Sequence, residues 1–94
     1  MQIVIEENII EGHYRIKHIV EEYKSKIKSV KNNRREIIFI NGDVLKFIST
    51  DSRLQDGIRA DVAIGPNARL LTLRSNQEKR VWGIEDLYNH IGNI

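Results

Sequence analysis

The first apolar positions of the chain form a short cluster that predicts extended structure. Residues 3–5 are all β-branched, and Ile9 and Ile10 follow after a polar interruption. Residues 1–10 are therefore predicted to form an edge strand or an extended arm. Gly12 is expected to end this segment, because glycine weakens regular secondary structure.

The next stretch, residues 13–31, carries one apolar stripe at helical spacing. Successive members of the stripe are separated by four, three, four and three residues, and they are Ile16, Val20, Tyr23, Ile27 and Val30. This spacing predicts an amphipathic helix that lies on a sheet. An average step of about 3.5 residues also suits a coiled-coil seam, which stays as the alternative interpretation.

Two apolar runs meet at the Asn-Gly-Asp sequence of residues 41–43 and predict a β-hairpin. If the last two of these residues form the centre of the turn, Ile40 faces Leu45. If the first two form the centre, Phe39 faces Val44. Either register leaves the first strand apolar on both faces, so this strand is expected to lie inside the sheet.

Further short strands are predicted at residues 60–64, 69–73 and 80–82, separated by polar loops. The chain then ends in a helical pattern, since Ile84, Leu87, Tyr88 and Ile91 fall at positions i, i+3, i+4 and i+7. Gly92 is the expected C-cap of that helix. Residues 1–94 are predicted to form a single α+β domain. It has a central hairpin, two or three further short strands, a long N-terminal helix and a short C-terminal helix.

Composition excludes several kinds of site. The chain has no cysteine, which rules out disulfides, thiolate metal sites and cysteine nucleophiles. No apolar run approaches the roughly 18 residues of a membrane span, and the first residues lack the basic start of a signal peptide. We therefore expect a protein of the cytoplasm that does not bind a membrane.

The hairpin and the strand after it resemble part of a known family. The stretches are "FINGDVLKF" (39–47), "DGIRAD" (56–61) and "VAIG" (62–65). Their order resembles the Walker B region of phage terminase large subunits, the DNA-packaging ATPases. That resemblance implies an ATPase-like core segment, a phage or prophage origin and therefore a location in the cytosol of a bacterial host. Where the family has an Asp-Glu pair, however, this chain has Gly65 and Pro66, and the phosphate loop motif is missing. ATP binding in the terminase manner is therefore not expected.

Candidate catalytic and metal-binding residues do not form a recognisable pattern. The three histidines lack the spacing of a helical metal pair. Three aspartates recur every five residues, too widely spaced for a calcium loop, namely Asp51, Asp56 and Asp61. No serine or threonine has an identifiable base. We expect a protein without a metal, a cofactor or an enzymatic activity.

Basic residues suggest one binding surface. The candidates for phosphate contacts are Lys24, Lys28, Lys31, Arg34 and Arg35. The net charge of +2 is modest for a dedicated nucleic-acid-binding protein, and only six aromatic residues are present for base stacking. Nucleic-acid binding is therefore the alternative hypothesis rather than the first.

Other residues suggest protein or small-ligand contacts. Tyr14 lies off the apolar stripe and is the expected exposed aromatic of the first helix. Trp82, beside Arg80, either packs under the last helix or serves as an exposed anchor. Backbone amides near Gly65 and Asn67 are candidates for an anion-binding nest, which would suit a nucleotide-sequestering protein.

The first hypothesis is a small binding protein that inhibits or redirects a host protein, such as a defence or replication factor. It would act through protein contact, with Tyr14, Trp82 and Arg80 as anchors. A homodimer is also expected to suit this chain, because a domain of 94 residues has a small core.

Overall fold

The computed structural model describes residues 1–49, 60–68 and 81–94, which form a five-stranded sheet and two helices. The strands are β1 (Gln2–Glu7), β2 (Ile27–Lys31), β3 (Glu36–Phe39), β4 (Val44–Ser49) and β5 (Val62–Ile64). The helices are α1 (Ile9–Glu22) and α2 (Ile84–Gly92). Two 3-10 turns, Lys24–Lys26 and Asn32–Arg34, flank β2. The predicted α+β class is confirmed.

The sheet has the order β2-β3-β4-β1-β5, which places β1 in its interior. β1 is parallel to both β4 and β5, whereas β3 is antiparallel to both β2 and β4. The strand predicted within residues 1–10 is therefore confirmed, but its position at an edge or as an arm is wrong. Residues 3–5 are apolar on both faces because both faces of β1 are covered, as in other interior parallel strands.

Helix α1 begins earlier than predicted and ends well before Lys31. The side chain of Asn8 caps its start by accepting a hydrogen bond from the backbone amide of Glu11 at 2.9 Å. Gly12, the predicted end of the first extended segment, lies inside the helix. The coiled-coil alternative required one helix through residue 31, but the chain leaves α1 at Tyr23 and forms β2 instead.

A register irregularity in β2 explains the error at the end of the predicted helix. Ile27 pairs with Phe39 and Ser29 pairs with Ile38, so one extra residue is inserted between the two pairs. Consequently Ile27 and Val30, three residues apart, both pack against the same core. A bulged strand can therefore imitate the three-residue step of a helix.

The predicted hairpin is confirmed, but its register is neither of the two expected. Ile38 pairs with Val44, and the amide of Phe39 donates to the carbonyl of Asp43 at 2.9 Å. The turn therefore contains three residues, 40–42, and its last residue, Gly42, has a φ of +93°. Three-residue hairpin turns commonly place glycine at this left-handed position. As predicted, β3 lies inside the sheet.

Both helices pack on one face of the sheet and form the main core there. The fully buried helical residues are Ile19 of α1 and Leu87 and Ile91 of α2. They contact the inward side chains of β1, β3, β4 and β5. A smaller cluster on the opposite face contains Val4, Ala60, Ala63 and Ala68.

The C-terminal helix follows its predicted pattern. It spans Ile84–Gly92, and Asn93 rather than Gly92 is its C-cap. Val81, which lies within the strand predicted at 80–82, forms an isolated parallel bridge with Ala63. The predicted strand at 69–73, the loops and the aspartates at 51 and 56 lie outside the described residues.

Asp43 connects the hairpin turn, the chain start and α2. Its carboxylate accepts a hydrogen bond from the amino group of Met1 at 2.8 Å and one from the Asn41 side chain at 2.9 Å. His90 Nε2 of α2 lies 2.6 Å from Oδ2, the oxygen that also accepts from Asn41. Although burial disfavours the ionised form, these hydrogen bonds outweigh it and lower the pKa of Asp43 from 3.8 to about 2.

The interactions of Asp43 should make the fold lose stability in acid. Because the folded-state pKa is lowered, the stabilisation is complete above about pH 4 and is lost as the pH falls through about 2. The shift corresponds to about 2 kcal/mol. We expect urea unfolding, followed by circular dichroism, to show this loss as the difference between wild type and Asp43→Asn.

The matched control is Glu22→Gln, at an exposed position in the last turn of α1. It should leave the acid dependence of the wild type unchanged. If Asp43→Asn lost as much stability in acid as the wild type, the contacts of the Asp43 carboxylate would not be the cause of the acid sensitivity.

Candidate partner-binding surface

The carboxyl ends of β1 and β5 border an open groove of about 380 Å³. β1 lies between β4 and β5 in the sheet, and the chain continues from β1 into α1. In open α/β sheets, ligands commonly bind outside the carboxyl ends of parallel strands. The lining residues are Ile5, Glu6, Glu7, Asn8, Glu11, Arg15, Ile64, Gly65, Pro66 and Ile84.

An ion pair holds the walls of the groove together. Arg15 of α1 donates to both oxygens of Glu7, at 2.5 and 2.8 Å, and to the hydroxyl of Tyr88 on α2 at 2.5 Å. The hydrogen bonds that Arg15 donates to Glu7 raise the pKa of Arg15, although burial opposes the shift. A bidentate pair of this kind fixes direction as well as charge. It therefore links β1, α1 and α2 at one point.

Glu6, the residue before Glu7, points to the opposite face of the sheet and is 2% exposed. Its carboxylate accepts hydrogen bonds from the backbone amide of Asn67 at 2.8 Å and from the Asn67 side chain at 3.0 Å. The amide that was predicted to bind an external anion near Gly65 and Asn67 is thus occupied by an internal carboxylate. The prediction of an anion nest there is not supported by this geometry.

A second feature beside the groove is an exposed apolar patch on α1. Ile9, Ile10 and Tyr14 are 61%, 65% and 67% exposed. Ile10 and Tyr14, four residues apart, are neighbours on the helix surface, and we call these two residues the apolar patch. The sequence singled out Tyr14 but placed Ile9 and Ile10 in a strand. Their position on a helix follows from the Asn8 cap, an N-cap residue type that sequence analysis could have recognised.

Trp82 has a different environment from Tyr14. Its ring is half-buried, packs against the core and lies 5.2 Å from the His90 ring of α2, centroid to centroid. Of its two predicted roles, the structure therefore favours packing under the last helix over an exposed anchor. Arg80, its predicted neighbour, lies outside the described residues.

The predicted basic surface separates into two parts. In the described ranges, four of its residues are exposed and form no ion pair, namely Lys24, Lys28, Lys31 and Arg34. Arg35 is different, because it is partly buried, has a φ of 51° and packs its guanidinium group over Gly12 of α1. Its Nη2 is buried without a hydrogen-bond partner. Arg35 is therefore not part of the exposed basic surface.

Comparison with known proteins gives no match to a family model, to a curated protein or to a solved structure. The terminase resemblance therefore stays a prediction. Over residues 1–49, 60–68 and 81–94, no helix is long and apolar enough to cross a membrane. The same ranges contain no cluster of three or more side chains suited to hold a metal ion.

Gly65 should tolerate a side chain much less well than Gly42. Both have a positive φ, at +129° and +93°, but a Cβ on Gly65 would lie 2.6 Å from the backbone oxygen of Glu6. A Cβ on Gly42 would meet no atom within 4 Å. Left-handed strain alone costs about 1–2 kcal/mol. We expect Gly42→Ala to lose about that amount of unfolding free energy, and Gly65→Ala to lose clearly more, in urea titrations. Equal losses would contradict the close approach of Gly65 to β1.

The contact between Gly12 and Arg35 should appear as energetic coupling. Alanine favours a helix over glycine by up to about 1 kcal/mol. A Cβ at residue 12, however, would overlap Arg35 Nη2. We therefore expect Gly12→Ala to stabilise the protein in an Arg35→Ala background and to gain less in the wild type. A double-mutant cycle by urea unfolding should give a coupling of at least about 0.5 kcal/mol. Equal effects in both backgrounds would show that the two residues do not interact.

Proposed function

We propose that this protein is a non-enzymatic binding protein that acts through contact with another protein. The apolar patch carries the proposal, because Ile10 and Tyr14 are neighbours on one helix and each is more than 60% exposed. Single exposed apolar residues are ordinary, but clusters of them commonly mark interaction sites. Tyrosine is also among the residues that most often dominate binding energy.

The groove supports a binding role over a catalytic one. Its guanidinium group, on Arg15, is paired with Glu7 and Tyr88, and Glu6 is bonded to Asn67. A catalytic base or nucleophile needs a partner that leaves its reactive atom open to substrate. These ionisable groups are instead hydrogen-bonded to neighbouring residues of the protein, which suits a rigid surface for recognition.

The biological setting of this binding is also part of the proposal. A phage or prophage origin, and an inhibitory action on a host defence or replication factor, rest on the resemblance of residues 39–65 to phage terminases. A small domain without a cofactor motif suits such a role, since it needs only one surface complementary to its target.

A nucleic-acid-binding function is the second candidate. It is favoured by the exposure of Lys24, Lys28, Lys31 and Arg34 without ion pairs among the described residues. Lysines and arginines that are free of carboxylates are available to phosphates. Lys28 and Lys31 lie on β2, at the edge of the sheet, where lysine also discourages pairing with other strands. The edge position gives these lysines a structural reason to be there, so this candidate ranks second.

A pull-down from bacterial lysate, with and without nuclease, separates the two candidates. We expect one dominant protein to be retained after nuclease treatment. Tyr14→Ala and Ile10→Ala should each reduce its recovery several-fold, because truncating an interface anchor costs more than about 1 kcal/mol. Both positions are exposed, so stability should change by less than about 0.5 kcal/mol.

Lys31→Ala combined with Arg34→Ala is the matched control, because it changes exposed residues away from the apolar patch. It should retain the captured protein. Recovery that disappears with nuclease and with this double variant, but persists in the patch variants, would favour the nucleic-acid function instead.

A further inference from the structure

We propose that the outer edge of the sheet, at β2, receives an extended acidic segment of a partner protein as a sixth strand. The segment carries aspartate or glutamate at alternate positions, with β-branched residues between them. We call β2 and the turns that flank it, residues 24–34, the basic edge. This inference goes beyond the proposed function, because it concerns a surface other than the apolar patch.

The two edges of the sheet differ in what lies beside them. The outer side of β5 is met by Val81, which forms a bridge with Ala63, and by Trp82, whose amide donates to the Ala63 carbonyl at 3.0 Å. In the described part of the chain, β2 has a neighbouring strand on one side only, which is β3. An edge strand presents a row of N–H and C=O groups that a further strand can pair.

The register irregularity of β2 leaves most of this edge regular. It lies between Ile27 and Ser29, and residues 29–31 then pair one to one with residues 36–38. Bulges often protect an edge from pairing, but this one is confined to the start of the strand. A regular edge of three residues offers few backbone hydrogen bonds, so side-chain contacts must contribute much of the affinity.

The charge of the basic edge indicates which strand it would accept. Residues 24–35 contain six basic residues and no acidic one, whereas the whole chain carries a net charge of +2, which leaves −4 on the rest of the chain. Four of these basic side chains are exposed and form no ion pair among the described residues, namely Lys24, Lys28, Lys31 and Arg34. Carboxylates opposite them would be favourable cross-strand partners.

The nearest carboxylate of the sheet does not neutralise this edge. Glu36 of β3 is the register partner of Lys31. Its carboxylate, however, lies 3.9 Å from Lys46 Nζ on β4, on the side away from β2. Lys31 therefore keeps its charge available for a strand that arrives from outside.

The same lysines reject other strands. Lysine on an edge discourages pairing with apolar strands, because its charge would lose water without gaining a partner. A second copy of β2 would bring its own Lys28 and Lys31 against those of the first, and like charges on paired strands are destabilising. A strand that carries carboxylates avoids both costs, so the edge selects by charge.

The edge suits a protein strand better than a nucleic acid. A strand supplies both donors and acceptors to the backbone groups of β2, whereas phosphates supply acceptors alone. Residues 24–35 include no aromatic side chain on which a base could stack. Ile27 and Val30 pack at the margin of the core and are only partly buried. β-branched residues of an added strand would cover what remains exposed of them.

Three matched peptides test this pairing on the isotopically labelled full chain by NMR titration. The first, the Glu peptide, is acetyl-Thr-Glu-Val-Glu-Val-Glu-Thr-amide, and the second, the Gln peptide, carries Gln in place of each Glu. The third is the Glu peptide with N-methyl groups on its central Glu and the following Val. Because successive amides of a strand point to opposite sides, one blocked amide then faces β2 in either orientation.

We expect the Glu peptide to shift the amide resonances of Ser29, Val30 and Lys31, and to slow hydrogen exchange of the β2 amides that point away from β3. The Gln peptide should bind about 8-fold more weakly, since each of three exposed ion pairs contributes a factor of about 2. The N-methylated peptide should bind at least about 5-fold more weakly, because it loses a backbone hydrogen bond. Equal affinities of the Glu and N-methylated peptides, or no shifts at millimolar peptide, would overturn the inference.

Variants assign the carboxylates to the basic edge. Lys28→Gln combined with Lys31→Gln should reduce the affinity for the Glu peptide about 4-fold and leave that for the Gln peptide unchanged. Lys17→Gln, at an exposed position on α1, is the matched control and should bind both peptides like the wild type. An equal effect of the double variant on both peptides would refute a role for charge.

The patch variants keep this inference separate from the proposed function. Ile10→Ala and Tyr14→Ala should leave the affinity for the Glu peptide unchanged, because the patch lies on α1. A loss of peptide binding in these variants would place the peptide on α1 and overturn the inference. Failure of the Glu peptide to bind, with capture of a lysate protein still dependent on the patch, would overturn the inference and leave the proposed function standing.

Two further measurements test other occupants of the edge. If a 12-nucleotide oligothymidylate bound more tightly than the Glu peptide at the same salt and shifted the same residues, the edge would be a nucleic-acid surface. If sedimentation of the free chain showed a dimer with slowly exchanging outer amides on β2, a second copy would cover the edge. Either result would overturn the inference; we expect a free chain with exchangeable β2 amides and weaker binding of the oligonucleotide.

Discussion

The burial of β1 between two parallel neighbours is the constraint on which the rest of the structure depends. Residues 3–6 of this strand are each at most 2% exposed, although the fourth of them is a glutamate. A buried carboxylate must find hydrogen-bond donors inside the protein. Glu6 finds them on Asn67, which holds the chain that follows β5 against the end of β1. At the same place, Gly65 lies so close to the Glu6 backbone that a side chain on residue 65 would overlap it.

The next residue of β1 fixes the helices in a similar way. Glu7 points to the opposite face from Glu6 because side chains alternate along a strand. There it binds Arg15, which also reaches Tyr88 of α2. Two successive glutamates thus attach the connection after β5 on one side and both helices on the other. The groove lies at this end of β1, and both glutamates are among its lining residues.

Sequence alone could predict the elements whose signals are local. The hairpin has an Asn-Gly turn, and α2 has an unbroken helical stripe, and both were found at nearly their predicted positions. The end of the first helix could not be predicted in this way, because the bulge near Lys28 gives a strand the spacing of a helix. The groove was also beyond prediction, since it joins residues of β1, α1, β5 and α2 that only the parallel pairing brings together. The exposure of Tyr14 could be predicted, because its position off the apolar stripe follows from the helical period alone.

The two isoleucines at the start of α1 are the residues that folding explains least. A hydrophobic staple would pair the residue before the N-cap with the fourth helical residue, but these are Glu7 and Gly12. Helix propensity does not favour isoleucine over alanine or glutamate in the first turn either. Ile9 and Ile10 also contribute little to the core, because more than half of each side chain is exposed. Capping, propensity and core packing therefore do not account for these two side chains, and this is the structural reason for basing the proposed binding role on the start of α1.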